Sequence, residues 1–582
     1  MIYISYISIV LFPFALFVVL EMLNTPNRTA KVKMRLKQRA FFTSCLMIGS
    51  IYAFFTGITG NAFFAGVIVV VMLGIFYIFA YYRLVITGWV FVPKDLSLFR
   101  QAKAMAEFTK LAIFPAIFQF CFAVVAVLVL LFLASKNVNV TVFMRLVLLG
   151  IAVIVGIILV FIKFECKLEP SNKTYRENGL LLGFYFNLAG KRERLPGYSR
   201  KLMEDICSEI KVERSPLCLM QRQICVNENK PNVIVIMNEA FADLNIFEGI
   251  SLSKEPMENF KRMETIAKGE VRVPVIGGRT CNTEFEFLTG NAMEFIGMDV
   301  MPFEWEKQFV PTEDGRALPS LFRENGYKTV SIHPFMGAFF NRNTIHPKLG
   351  FDRCVFLEQM VEVSKKGNYV SDEYFTGQVL NIIAEERDQP LFLYGITMQN
   401  HYHYYEKKYE RYDVMASGDF DNELLGRLNA YLQGVYDADV QLARTVAALR
   451  KTGRPTILLF FGDHKPLLGK TAFELYLKTG VVQSSDYTLW TKDQTELMFC
   501  APYAVWSNYD LPKQSWGNIT PYKLGALTAK LAGLDLNLYY DFLLQEQVDF
   551  RKKFQYIQHD KMYGAGYIEA ALSEIRRLNH NI

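Results

Sequence analysis

Thr456-Ile457-Leu458-Leu459-Phe460-Phe461-Gly462-Asp463-His464, written TILLFFGDH, carries a β-branched and apolar run straight into a glycine, an acid and an imidazole. A run of this length without polar alternation reads as a strand buried on both faces, the habit of a parallel sheet covered by helices. Its polar residues then fall just past the carboxyl end, where open α/β sheets collect ligands. Three other runs end alike: Val233-Ile234-Val235-Ile236-Met237 before Asn238-Glu239, Thr329-Val330-Ser331-Ile332 before His333, and Leu391-Phe392-Leu393-Tyr394-Gly395-Ile396-Thr397 before Asn400-His401. Four separated segments therefore deliver Glu239, His333, His401, Asp463 and His464 to one crevice. The chain has seven His, none before position 333, and three of them stand at these strand ends. From Pro231 onward, short β-branched runs alternate with longer helical or loop stretches, so 231–582 is expected to be an α/β catalytic domain with a mostly parallel sheet.

Two carboxylates and an imidazole suit a divalent cation of the Mn²⁺, Zn²⁺ or Mg²⁺ kind, and imidazole favours the first two over Mg²⁺. A second stretch gains a meaning from that cluster. Gly277-Gly278-Arg279-Thr280-Cys281-Asn282-Thr283-Glu284-Phe285-Glu286 (GGRTCNTEFE) places flexible glycines before a hydroxyl and a helical pattern. A hydroxyl at a helix start beside a cation loses its proton more easily than in water, which makes Thr280 a candidate nucleophile; a plain helix cap is the competing reading.

Outward from this domain, the chain changes character. At 582 residues and 51% hydrophobic it exceeds one compact soluble domain. Residues 1–163 hold 14 Lys+Arg against 3 Asp+Glu, a surplus of eleven positive charges, whereas the remainder is acidic by five. Apolar runs at 4–20, 42–58, 62–82, 112–134 and 142–162 are each near the length a helix needs to cross a bilayer. They predict a five-helix transmembrane domain over 1–163, joined by a linker with juxtamembrane helices over 164–230. Arg145 is the exception to the absence of ionisable residues inside the runs, so the bundle reads as an anchor rather than an ion pathway. The basic loops 21–41 and 83–111 would share a side with the C-terminal part. The positive-inside rule then points to the cytoplasm, while attraction of these loops to anionic headgroups points to an extracytoplasmic domain; the second is preferred. Nine Cys show no CxxC or zinc-ligand spacing, and no GxxxxGK[ST] occurs.

The combination of Asn238-Glu239-Ala240-Phe241, GGRTCNTEFE with Leu288-Thr289-Gly290, Phe340-Asn341-Arg342, Asn400-His401 and Gly462-Asp463-His464 resembles the lipoteichoic acid synthase-like phosphoglycerol transferases of the alkaline phosphatase and sulfatase superfamily. The resemblance implies a metal site at Glu239, Thr280, Asp463 and His464, most often holding manganese, with Thr280 as nucleophile. It implies that His333, Arg342 and His401 hold phosphate and glycerol, with Phe340 standing where the family has a Trp. Cys281 and Asn282 depart from the synthase pattern and leave the acceptor open. The implied partners are phosphatidylglycerol or a related anionic lipid, a glycan or polyglycerolphosphate acceptor, and the membrane itself, with no nucleic acid. The implied place is the cell membrane, multi-pass, with the catalytic domain outside.

Competing readings stay within reach of the same residues. A sulfatase nucleophile would need C/S-x-P-x-R, and Cys281 is followed by Asn282-Thr283-Glu284-Phe285 instead. A phosphoethanolamine transferase or membrane-bound phosphodiesterase would use the same nucleophile and metal. A non-catalytic receptor or scaffold would show loss of a metal ligand, and none of the four is lost.

Overall fold

The computed structural model describes residues 2–23, 38–87, 91, 93, 139–161, 178–189, 195–221, 230–297, 300–310, 317–545 and 549–563. The chain divides into two units, Met1–Glu193 and Arg194–Ile582.

The first unit is helical: α1 (Ile2–Leu23), α2 (Gln38–Thr59), α3 (Ala62–Thr87), α4 (Val142–Phe161) and α5 (Leu180–Ala189). Three helical stretches are long and apolar enough to cross a membrane, Arg39–Thr59, Ala62–Ala80 and Val142–Leu159, and α1 contributes the shorter apolar stretch Leu11–Glu21. The expected span 112–134 lies outside the described residues, so the five-helix anchor is observed as three spans of full length. On α4, Val142, Phe143, Leu146, Val153 and Ile154 are more than half exposed, a pattern suited to lipid rather than water. The basic residue within α4 is accounted for locally. Arg145 donates from Nε to the Gly57 carbonyl at 2.9 Å and from Nη2 to the Ile58 carbonyl at 2.6 Å, satisfying carbonyls left open at the end of α2. Glu21, just after the first apolar run, is buried and accepts hydrogen bonds from the Tyr77 hydroxyl and the Leu180 amide.

The second unit begins with α6 (Arg200–Gln221) and is organised by a seven-stranded sheet. Its strands are β1 (Asn232–Asn238), β2 (Ala267–Arg272), β3 (Lys328–His333), β4 (Arg353–Phe356), β5 (Leu391–Ile396), β6 (Thr456–Gly462) and β7 (Cys500–Ser507), in the spatial order β2-β7-β6-β1-β5-β3-β4. Strands β4, β3, β5, β1 and β6 are mutually parallel, while β7 runs against β6 and β2 against β7. The mostly parallel α/β sheet expected from the sequence is present. All of β1, β5 and β6 is buried because helices cover both faces.

Alternation along the strands assigns each face its layer. Ile234, Ile236, Leu391, Leu393, Leu458 and Phe460 join a core with Phe375, Val379 and Ile382 of the helix Asp372–Glu385 and Leu428, Tyr431, Val435 and Leu442 of the helix Asn422–Leu449. Before these in the chain come α7 (Thr280–Thr289) and α8 (Arg342–Leu349); α9 is Asp372–Glu385 and α10 is Asn422–Leu449. The start of α9 is capped by Ser371, which accepts from the Tyr374 amide, and that of α10 by Asp421, which accepts from the Leu424 amide. On the opposite face Phe287 of α7 lies against Tyr394 and Phe461, ring centroids 5.6 and 5.3 Å apart. Each such buried ring contributes on the order of 2 kcal/mol, so α7 is held firmly against the ends of the strands that bear the site. Among the described residues Cys45, Cys281, Cys354 and Cys500 are free thiols.

Candidate active site

Because β1, β3, β5 and β6 are parallel, Glu239, His333, His401 and the Asp463-His464 pair all emerge from one edge of the sheet. Gly462 lets β6 approach the turn after β1: a Cβ there would stand 2.0 Å from the Phe241 carbonyl oxygen. That turn is itself unusual, since Ala240 has φ +51° without being a glycine. Its conformation is held on both sides, by Asp463 Oδ1 accepting its amide at 2.7 Å and by the Tyr431 hydroxyl donating to its carbonyl at 2.9 Å. The Glu239 amide donates to Thr397 Oγ1 at 2.9 Å, which ties the ligand turn to the end of β5.

The glycine-rich stretch completes the cluster. Gly277 (φ +68°) donates its amide to the Lys465 carbonyl at 2.8 Å, and Arg279 takes a left-handed conformation before α7. Thr280 is therefore the first residue inside the helix rather than its cap, and Arg279 in the cap position makes no side-chain cap bond. The freed Thr280 hydroxyl points into the acidic cluster, 2.8 Å from Asp463 Oδ2 and 3.3 Å from Glu239 Oε2. Thr283, on the same helix, donates to the Asp463 carbonyl at 2.9 Å.

Glu239, Asp463 and His464 present ligand atoms that all lie within 4.8 Å of one another, each residue being buried. The His464 Nδ1 donates to the Lys465 carbonyl at 3.1 Å, which turns Nε2 toward the cluster; that buried atom has no hydrogen-bond partner and faces Asp463 Oδ2 at 3.2 Å and Glu239 Oε1 at 3.7 Å. Burial first, and then the charge of Asp463, push the Glu239 carboxyl well above its ordinary range, against smaller opposing effects of the Thr280 hydroxyl, Arg342 and Lys408. Two carboxylates and an imidazole nitrogen converging on one buried point fit a divalent cation.

Around this centre stand the residues expected to hold substrate. His333 is buried and its Nδ1 donates to the Ile396 carbonyl at 3.2 Å; burial and then the charge of Arg342 hold it well below the usual imidazole range. His401 is brought down to about 3, chiefly by burial, and its Nδ1 lies 2.7 Å from the Tyr402 carbonyl. Both rings are thus neutral. Arg342 is 1% exposed, acts on Glu239 and His333 electrostatically, and lies over the Phe340 ring at 5.2 Å. Successive left-handed residues Phe340 and Asn341 (φ +53° and +57°) turn the chain so that Arg342 begins α8 facing inward. The eight residues singled out from the sequence thus gather at one end of the sheet.

Sequence reading passed over several neighbours. Lys408 is buried, donates from Nζ to the His401 carbonyl at 2.7 Å, and is brought down to about 7 by burial against the attraction of Glu239 and Asp372. Nothing in its local pattern of charged and tyrosine residues marks it. Glu284 binds both Arg342 and His346, and it had a legible signal: it is four residues after Thr280 on the same helix.

Residues 231–534 match the model of the Sulfatase family. A Rhizobium meliloti (strain 1021) protein named for cyclic beta-1,2-glucan modification is 30% identical over 426 residues, 68% of this chain and 63% of its own length. The capsular polysaccharide biosynthesis protein RkpI of the same organism is 27% identical over 249 residues, 42% of either chain. The chain thus spans less than two thirds of the length of these relatives. Among solved structures, Streptococcus pyogenes phosphoglycerol transferase GacH in complex with sn-glycerol-1-phosphate shares the fold, with a TM-score of 0.52, 21% identity, and coverage of 66% of this chain and 98% of that one.

Proposed function

Since the chain belongs to the sulfatase family, whose model covers 231–534, we propose that this phosphotransferase moves glycerol phosphate from phosphatidylglycerol to a glycan or polyglycerolphosphate acceptor of the cell envelope, with Thr280 as the relay. The observation that carries the reading is the Thr280 hydroxyl at the first position of α7, 2.8 Å from Asp463 and 3.3 Å from Glu239, beside an unpartnered imidazole nitrogen. Glu239, Thr280, Asp463 and His464 would hold a divalent metal, with Mn²⁺ the first choice and Zn²⁺ or Mg²⁺ the alternatives. When bound, such an ion offsets negative charge on a transferring phosphate and lowers the pKa of a neighbouring hydroxyl.

The protein's own groups supply the rest. Thr280 Oγ forms a bond to phosphorus as the bond to the diacylglycerol oxygen breaks, and the threonine proton ends on that departing oxygen. The acceptor hydroxyl then attacks the glycerophospho-threonine, its proton restoring Thr280. Arg342, with a guanidinium suited to phosphate oxygens, holds the group in place. His333 and His401, both neutral, can accept hydrogen bonds from glycerol hydroxyls without repelling them electrostatically. Phe340 forms an apolar wall beneath Arg342.

Helices able to cross a membrane suit a lipid donor, with the catalytic unit outside the cell. The relative named for glucan modification supports a glycan acceptor, and the glycerol phosphate of the GacH complex agrees with the transferred group. Mass spectrometry of the Thr280 peptide after exposure to lipid tests the proposal. An adduct with the mass of glycerol phosphate is expected; a phosphoethanolamine adduct, or none under turnover, refutes the donor or the nucleophile respectively.

A further inference from the structure

Glu284 stands one helical turn after Thr280 on α7, so both side chains leave the same face of one rigid element. Its carboxylate is fully buried and both oxygens are committed. Oε2 accepts from Arg342 Nε at 2.9 Å, and Oε1 is 2.6 Å from His346 Nε2. The other ring nitrogen of His346, Nδ1, is 2.9 Å from Ser331 Oγ on β3. Phe351, Phe356 and Phe303 enclose that imidazole with centroids at 5.3, 5.8 and 6.5 Å. Burial alone would raise the Glu284 carboxyl, but the adjacent Arg342 charge and the His346 bond outweigh it and hold the group below its ordinary value. Glu284 is an anion inside the protein.

The arrangement leaves Arg342 only partly used. Its Nε is spent on Glu284, while its two Nη groups make no hydrogen bond among the described residues. An unrestrained Arg side chain loses rotamer freedom on being fixed. Here that ordering is accomplished before any ligand arrives, by a carboxylate whose own orientation is locked through His346 to a sheet strand. Since α7 carries both the hydroxyl and the carboxylate, the span from Thr280 to the guanidinium is set by one turn of helix plus one short ion pair.

We propose that Glu284 and His346 are positioning residues that fix the Arg342 guanidinium relative to the Thr280 hydroxyl, and thereby set how tightly the phosphate is held for attack. The inference rests on the reading of the site as a glycerol phosphate transferase. Neither residue touches the reacting atoms; both act through Arg342.

The test measures calorimetric binding of glycerol phosphate, and in parallel inorganic phosphate, to the full-length protein supplied with Mn²⁺, alongside thermal melts of every variant. Glu284→Gln and His346→Leu are expected to weaken binding about tenfold. His346→Gln, whose amide can still donate to Glu284, is expected to stay within about threefold of the unaltered protein. The double variant Glu284→Gln/Arg342→Lys should bind no more than about threefold worse than Arg342→Lys alone, because two residues acting as a unit are not additive. The inference is overturned if Arg342→Lys weakens binding while Glu284→Gln does not, or if the two effects multiply in the double variant. It is overturned too if His346→Gln and His346→Leu lose affinity equally, an outcome readable even where Glu284→Gln fails to fold. Failure of the unaltered protein to bind glycerol phosphate while binding inorganic phosphate refutes the substrate reading instead, and the same comparisons are then read with inorganic phosphate.

Discussion

Asp463→Asn should separate the structural cost of the metal cluster from its use. In the metal-free protein, the carboxylates of Glu239 and Asp463 both contact the Thr280 hydroxyl, at 3.3 and 2.8 Å, and their ligand atoms lie within 4.8 Å of each other. At an effective dielectric constant of about 20, two like charges at that separation repel by roughly 3.5 kcal/mol, which sets the scale of what neutralising one can return. The amide keeps the shape of the site, since its oxygen can still accept the Ala240 N–H that Asp463 Oδ1 takes at 2.7 Å. Metal-free Asp463→Asn is therefore expected to be more stable than the unaltered protein by about 1–3 kcal/mol at pH 8. For the unit Arg194–Ile582, an unfolding entropy of about 2.1 cal/mol/K per residue makes 1 kcal/mol worth roughly 1.2 °C, so the melting temperature should rise by about 1–4 °C. The pH dependence has a definite sign. The Glu239 carboxyl is raised in the folded state, so the native protein binds more protons than the unfolded chain above about pH 4.5, and metal-free stability falls as pH rises through that window. Removing the Asp463 charge removes the second of the two causes and should flatten the decline without abolishing it. Thermal melts in EDTA and in Mn²⁺ between pH 5.5 and 8.5 provide the assay. The unaltered protein should gain about 2.7 kcal/mol at a metal concentration one hundred times its dissociation constant, and the variant little. A variant destabilised in EDTA, or stabilised by Mn²⁺ as much as the unaltered protein, refutes the reasoning.

Thr280→Ala should retain metal-induced stabilisation at reduced strength while turnover of phosphatidylglycerol falls by on the order of a thousandfold or more, measured as released diacylglycerol; full activity would refute the nucleophile. Thr280→Ser keeps the hydroxyl and should keep the lipid-derived adduct in mass spectrometry. Gly434→Ala on α10 places a methyl group 2.0 Å from Asn400 Oδ1, and so should cost about 1–3 kcal/mol of stability and weaken glycerol phosphate binding through the adjoining His401, read by melting and calorimetry. Lys408 is lowered to about 7 in the folded state from an ordinary 10.5, so the unfolded chain binds the extra proton between these values and stability rises with pH across them. Lys408→Met should remove that rise, which pH-resolved melts in EDTA would show; an unchanged profile would mean that Lys408 titrates normally.

The strands were legible because burial on both faces forces a continuous apolar run, and the residue that ends such a run in a parallel sheet must sit at the ligand edge. That geometric necessity placed Glu239, His333, His401, Asp463 and His464 without knowledge of any contact. Thr280 was harder. Its pattern of glycines, hydroxyl and acids fits an ordinary cap, and the left-handed Arg279 that moves the cap back by one residue leaves no mark in composition. Of the expected spans, Arg39–Thr59, Ala62–Ala80 and Val142–Leu159 answer to three apolar runs. Arg145 looked anomalous only because its partners, the last carbonyls of α2, lie 88 and 87 residues away. Lys408 shows the limit most clearly. Its burial depends on three Tyr rings, with Tyr404, Tyr409 and Tyr369 at 4.7, 5.5 and 5.7 Å, and no periodicity in a loop reports that enclosure.

The buried charges bear on the dication proposed for this site. Arg342 is paired with Glu284 at 2.9 Å, so that couple adds no net charge. Lys408 and Asp372 influence each other, with Asp372 raised to about 8 by burial and Asp437, and Lys408 lowered to about 7. Whether the proton rests on the amine or the carboxyl, their sum is zero. His333 and His401 are neutral. Glu239 and Asp463 then face one point together with the His464 Nε2, and burial and the Asp463 charge push the Glu239 carboxyl well above its ordinary range when no cation is bound. A monovalent ion would leave one carboxylate to be protonated, and a proton on either would compete with the Thr280 hydroxyl for the same acceptor. On the proposed reading, a dication would take the place of that proton and leave both carboxylates able to accept the hydrogen of Thr280.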